Sequence, residues 1–159
     1  MKREETIDYH IRSAWHAISR MYNQQASKFD ATMSMGFALL VIDAEEGTPA
    51  TKIAPMMGLE ARSLTRLLKS LEEKKMIYRE TDKNDKRSVR IFLTKEGKKK
   101  RELSREKVVR FNEAVLEEVG VEDLKICFEV LQKVNKIIEK NDIYEKGTHL
   151  RRVRPGQAK

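Results

Sequence analysis

Residues 53–97 read IAPMMGLEARSLTRLLKSLEEKKMIYRETDKNDKRSVRIFLTKEG, and a change of period inside this stretch decides the fold. Leu64, Leu67, Leu68 and Leu71 recur at i, i+3, i+4 and i+7, one apolar stripe on a helix over about 61–74. The opposite face carries Arg62, Ser63, Arg66, Lys69 and Ser70. Just upstream, Ile53, Ala54 and Met57 form the inner face of a short helix over roughly 49–56, and Gly58 is the turn between the two. Two helices joined by a tight glycine turn make a helix-turn-helix. Downstream the period drops to two. Ile77–Glu80 and Ser88–Leu93 read as strands, with Val89, Ile91 and Leu93 on one face of the second. The wholly polar TDKNDKR, residues 81–87, joins them. A β-hairpin directly behind the second helix of a helix-turn-helix is a wing.

The net charge of +8 sits in the same place. Residues 59–101 hold 15 lysines and arginines against 7 acidic groups, whereas 1–58 hold 6 against 7 and 102–159 hold 12 against 11. A concentrated basic block is the electrostatic footprint of a polyanion. Charge alone fits a solvated basic face equally well; the pattern within the block favours double-stranded DNA. A helix enters the major groove, where Arg reads guanine and Ser or Thr serve bases or phosphates. Arg62, Ser63, Thr65, Arg66 and Lys69 are the expected major-groove face, with Thr65 standing between that face and the turn. A basic hairpin beside the helix reaches the neighbouring minor groove. Arg87 is the minor-groove candidate at the wing tip, and Lys83, Lys86 and Arg90 are expected on phosphates. Asp85 is not expected to touch DNA, because a carboxylate is repelled by phosphates. Lys98, Lys99, Lys100 and Arg101 follow at the start of the next helix, where their charges oppose the helix dipole. A phosphate backbone and simple solvation suit them equally.

Working outward, residues 5–29 read as one amphipathic helix with Ile7, Ile11, Trp15, Ile18, Tyr22 and Phe29 near helical spacing. A second helix over 34–45 is apolar on most sides and belongs near the core. Gly47 suits its left-handed C-cap, and Thr48-Pro49 reads as the N-cap and first residue of the third helix. Pro55 should bend or shorten that helix. Thr94 caps a fifth helix running to about 118, Gly120 breaks it, and 121–141 form a sixth with Leu124, Cys127, Phe128, Leu131, Val134 and Ile138 on one face. Cys127 on that stripe reads as a buried core thiol. The first and sixth helices carry more apolar surface than one chain can cover, which implies a two-fold homodimer. The tail 145–159 is basic, aperiodic and expected to be flexible.

Other classes are disfavoured. No run of 18 apolar residues is present, so no membrane is expected, and MKREETIDYH lacks the apolar core of a signal peptide. One cysteine makes no internal disulfide, consistent with a reducing cytoplasm. His10, His16 and His149 are too scattered for a metal site. Neither a cofactor nor enzymatic activity is expected, since no nucleophile–base pair or phosphate loop is legible.

Over residues 5–141, and most strongly over 53–97, the chain resembles the MarR family of winged-helix regulators. The residues that carry the resemblance are Ile53-Ala54 in the third helix, Ser63-Leu64-Thr65-Arg66 in the fourth, and Leu71-Glu72 at its close. Asp85-Lys86-Arg87 follows at the wing tip and Leu93-Thr94-Lys95-Glu96-Gly97 at its end. The resemblance implies a mainly α fold with a small β-hairpin wing: a single domain over 1–144, in which 5–32 and 100–144 are dimerisation helices and 33–99 the DNA-binding lobe. It implies that Asp85 buttresses the wing tip by pairing with an arginine. It also implies a small aromatic ligand between the dimer helices and the lobe. That carries over to a region, in which Trp15, Tyr22 and Phe37 otherwise read as plain core. Some relatives sense oxidants through a cysteine, which requires an exposed thiolate. The chain departs from the pattern at Pro55 and at Lys75, where the family usually has glycine; a left-handed lysine costs roughly 1 kcal/mol against glycine. The function so implied is that of a sequence-specific transcriptional regulator, a repressor, acting as a homodimer on a pseudo-palindromic operator and released by a ligand. The rival is a winged-helix protein-interaction module. It calls for an acidic or apolar face on the fourth helix, and Arg62 and Arg66 argue against it.

Overall fold

The computed structural model of the chain describes residues 2–83 and 85–140, so the tail at 145–159 lies outside the described residues. After a single 3-10 turn at Arg3–Glu5 come α1 (Ile7–Ser27), α2 (Met33–Val41), β1 (Thr48–Pro49), α3 (Ala50–Met57) and α4 (Ala61–Glu73). They are followed by β2 (Ile77–Thr81), β3 (Val89–Leu93), α5 (Lys95–Val119) and α6 (Val121–Glu139). The three strands form one antiparallel sheet in the order β1-β3-β2, with β2 and β3 in register from Ile77 opposite Leu93 to Thr81 opposite Val89.

Packing divides the chain into two units, one ending at Arg110 and the other beginning at Phe111. The first contains the core. The α4 stripe delivers Leu64, Leu68 and Leu71; α2 and its exit deliver Ala38, Leu39 and Ile42; Ile53 comes from α3 and Ile77, Ile91 and Leu93 from the sheet. The period-3.6 and period-2 stripes thus converge on one apolar cluster, which is what holds the helix-turn-helix against its wing. In the second unit α6 buries none of its residues. Cys127 is exposed, against the expectation of a core thiol: among the described residues none buries the stripe it lies on, where Leu124 and Val134 are only half-buried.

The segment between α2 and α3 departs from its sequence reading. α2 stops at Val41, and Ile42 turns extended with its side chain fully buried. Asp43 closes the turn that follows: its Oδ1 accepts the N–H groups of Glu45 at 2.9 Å and Glu46 at 2.7 Å. Those two donors hold the Asp43 carboxyl below the usual carboxylate range. Gly47 is left-handed (φ 66°), but it leads into a strand and does not cap a helix. A Cβ there would lie 2.6 Å from the Ile91 carbonyl oxygen and 2.7 Å from the Phe92 ring. Thr48 pairs with Ile91 in the sheet, and its Oγ1 accepts the Asp43 N–H at 2.9 Å, so it does not cap α3; Pro49 occupies that position. Pro55 lies inside α3, which ends two residues beyond it.

At the end of α4 the Met76 N–H bonds the Leu71 carbonyl and the Lys75 N–H the Glu72 carbonyl, both at 2.9 Å. This is a Schellman cap, which places Lys75 in the left-handed region, φ 54°. Lys75→Gly should therefore raise stability by about 1 kcal/mol. The check is a higher denaturant midpoint at unchanged slope. Thr94 caps α5: its Oγ1 accepts the Gly97 N–H at 3.0 Å and donates to the Lys75 carbonyl at 2.7 Å.

Candidate nucleic-acid interface

Burying Leu64, Leu68 and Leu71 turns Arg62, Ser63, Thr65, Arg66 and Lys69 outward on α4, and all five are exposed. Arg62, Arg66 and Lys69 rise along one face at i, i+4 and i+7. The Thr65 hydroxyl donates to the Ala61 carbonyl at 2.9 Å, so outward it offers only acceptor capacity. Lys69 approaches Glu73 at 3.9 Å across an exposed surface, a weak pairing. Arg62 and Arg66 have no ion-pair partner among the described residues.

On the wing, Lys83, Asp85, Lys86 and Arg87 are exposed at the tip. Lys83, Lys86 and Arg87 likewise have no ion pair among the described residues. Asp85 supports the tip differently from expectation: its Oδ1 accepts the backbone N–H of Arg87 at 3.0 Å. The arginine pairing is made by Asp82, whose Oδ2 receives Arg90 Nε at 2.8 Å. Sequence reasoning missed Asp82, because two carboxylates three residues apart in one polar turn are equivalent until the hairpin register is known. Arg90, expected on phosphate, is committed to that carboxylate and to two main-chain carbonyls.

Other basic groups are also internally paired. Arg79 binds Glu72 at 3.0 Å, tying β2 to α4, and Lys98 binds Glu45 at 3.0 Å. Lys74 at the end of α4 binds Asp30 and pulls its carboxyl below the ordinary range. Lys99 lies near Glu96, Arg101 bonds Glu102, and Lys100 stands over the Phe29 ring at 5.3 Å. The basic run 98–101 thus has partners within the chain, whereas Arg62 and Arg66 on α4 and Lys83, Lys86 and Arg87 on the wing have no ion pair among the described residues.

An apolar pocket opens among α1, α2 and α5 in the first unit. Tyr22, Phe29 and Phe37 line it together with Lys100 and Lys107. Tyr22 and Phe37 meet edge to face at 5.6 Å between centroids, and burial raises the Tyr22 hydroxyl pKa. Trp15 does not line this pocket and is 51% exposed. No described helix is long and apolar enough to cross a membrane.

The MarR family model matches residues 32–89, from the Thr32 cap of α2 to the first residue of β3. The chain is thus similar to the MarR family over its helix-turn-helix and the greater part of its wing. Its similarity to the HTH-type transcriptional regulator TtmR of Methylorubrum extorquens is 34% identity over 95 residues, 60% of this chain and 49% of that protein. The match thus spans about half the length of that relative. The HTH-type transcriptional regulator SarZ of Staphylococcus aureus is 28% identical over 128 residues, 80% of this chain and 82% of its own. Among solved structures, MepR of S. aureus in complex with DNA superposes with a TM-score of 0.76 at 26% identity, covering 82% of this chain and 97% of that one. The MarR relatives are transcriptional regulators, and the expected winged helix-turn-helix fold is the one observed, with β1 added to the hairpin.

Proposed function

We propose that this chain is a MarR-family regulator, a homodimeric transcriptional repressor that reads a pseudo-palindromic operator. The observation that carries the reading is that Arg62, Arg66, Lys83, Lys86 and Arg87 are exposed on α4 and the wing tip without an ion pair among the described residues. Positive groups left without internal counter-charge are those a phosphate backbone neutralises with release of bound cations. In this reading α4 lies in the major groove, with Arg62, Ser63, Thr65, Arg66 and Lys69 toward base edges and phosphates. Arg87 enters the minor groove, Lys83 and Lys86 hold phosphates, and Asp85 shapes the tip. A relative solved on DNA supports this mode.

The dimer is supported by apolar faces that the single chain leaves bare: Ile7, Ile11 and Trp15 on α1, Phe128, Leu131 and Ile138 on α6. A small aromatic ligand suits the pocket lined by Tyr22, Phe29 and Phe37. It acts if it binds one spacing of the two α4 helices better than the other. The working compartment under this reading is the cytoplasm.

The test is selection of bound duplexes from a random pool, followed by titration of the winner in salt. The logarithm of affinity should fall linearly with the logarithm of salt concentration, by about 0.9 per phosphate neutralised. A flat dependence points to the protein-interaction module. Sedimentation of the free protein as a monomer at the concentrations that bind DNA removes the dimer.

A further inference from the structure

Arg90 was the wing cation expected on DNA, yet its surroundings are those of a structural tie. It sits on β3 opposite Pro49 of β1 on one side and Glu80 of β2 on the other. Its Nε donates to Asp82 Oδ2 at 2.8 Å, and its Nη1 lies 3.2 Å from the carbonyl oxygens of both Glu46 and Gly47. The guanidinium thus spans from the outer end of β2 to the turn that enters β1, a join across 43 and 44 residues.

Two features make that join matter. First, β1 is two residues long, and Pro49, which faces Arg90, has no N–H to give to the ladder. The side chain of Arg90 adds a second tie to this weak edge, by donating to the two carbonyls just ahead of β1. Second, Asp82 closes the neck of the wing. Its N–H donates to the Ser88 carbonyl at 2.9 Å and its Oδ1 accepts the Asp85 N–H at 3.3 Å, while Oδ2 faces Arg90. The Asp82 side chain is only 7% exposed and that of Arg90 25%, so water competes weakly for the pair. A planar fork suits a carboxylate and two carbonyls at once; an ammonium does not. Lys83, Lys86 and Arg87 all lie beyond this neck.

We infer that Asp82 and Arg90 form a latch that sets where the wing tip stands, and that Arg90 is a positioning residue for DNA binding, with no phosphate of its own. The inference rests on the DNA-binding reading for its consequence. That consequence opposes simple electrostatics. Asp82→Asn removes a negative charge from a hairpin held against phosphates, which by charge alone tightens binding. The latch requires that it weaken binding, because the tip is no longer held.

The experiment compares the full chain with its Asp82→Asn and Arg90→Lys variants. One readout is affinity for the selected operator across salt; the other is amide hydrogen exchange over residues 82–90 without DNA. Both variants should exchange faster in the wing, with the α4 amides unchanged. Both should bind roughly tenfold or more weakly, the scale of losing one or two backbone contacts. The salt slope should also become shallower as wing-tip contacts are lost, which a fold merely made less stable does not produce. Binding by Asp82→Asn as tight as wild type or tighter, or wild-type binding by Arg90→Lys, overturns the inference and returns Arg90 to a phosphate. If the wild-type chain shows no salt-dependent DNA binding, the functional reading fails. Wing exchange still decides the latch: unchanged exchange in both variants overturns it.

Discussion

Gly97→Ala is expected to cost about 3 kcal/mol, the upper end of what overpacking a filled site costs. Gly97 is buried in the first turn of α5, and a Cβ on it would stand 1.9 Å from the carbonyl oxygen of Met76. That oxygen cannot retreat cheaply, since it accepts the Thr94 N–H at 3.0 Å. Met76 itself follows Lys75, already held left-handed at the end of α4. The added methyl therefore pushes apart the three pieces that meet here: the end of α4, the base of the wing and the start of α5. Of a total stability of about 5–15 kcal/mol for a typical domain, this is a large share. Urea unfolding of the variant gives the number; an unfolding free energy within about 0.5 kcal/mol of wild type, the range of ordinary surface changes, contradicts the packing described.

Arg66→Ala is expected to weaken operator binding by about 1–3 kcal/mol at each half-site and to relax the preference for one base pair there. In a two-fold dimer the loss occurs twice. Lys86→Ala, by contrast, should weaken every sequence alike and lower the salt slope by about 1. Arg66 is the sharper case because its guanidinium is exposed on the face opposite the buried leucines and has no ion pair among the described residues. Titration of both variants on the selected operator and on random duplexes separates base reading from backbone holding. Equal losses by the two on random DNA contradict the division of labour.

The parts of the site that were legible in the sequence share a physical cause. Leu64, Leu68 and Leu71 repeat at helical spacing, so burying them forces Arg62 and Arg66 outward whatever else the chain does. Likewise Val89, Ile91 and Leu93 alternate, and the polar run between the strands leaves Lys83, Lys86 and Arg87 only the tip. Thr94 was legible as the cap of α5, because a cap is a local demand, and its Oγ1 accepts the Gly97 N–H; the approach of Met76 to Gly97 was not. Lys75, read as a left-handed lysine in a place that suits glycine, is found in that conformation.

What escaped the sequence depended on partners distant along the chain. Thr48 had the composition of a helix cap, but two residues show no period, and only the arrival of Ile91 made it a strand. Asp82 and Asp85 were interchangeable until the hairpin register brought Arg90 to one of them. Cys127 carries the pattern of a core residue, yet whether a stripe is covered depends on what packs over it, and α6 has no buried residue. Local spacing by itself determined the helix-turn-helix, the wing and the outward basic face, because side-chain direction follows from backbone period. Which of those basic groups are paired within the chain, as Arg90 is, was decided only in three dimensions, because a guanidinium bonds to whatever carboxylate and carbonyls the fold brings within about 3 Å of it.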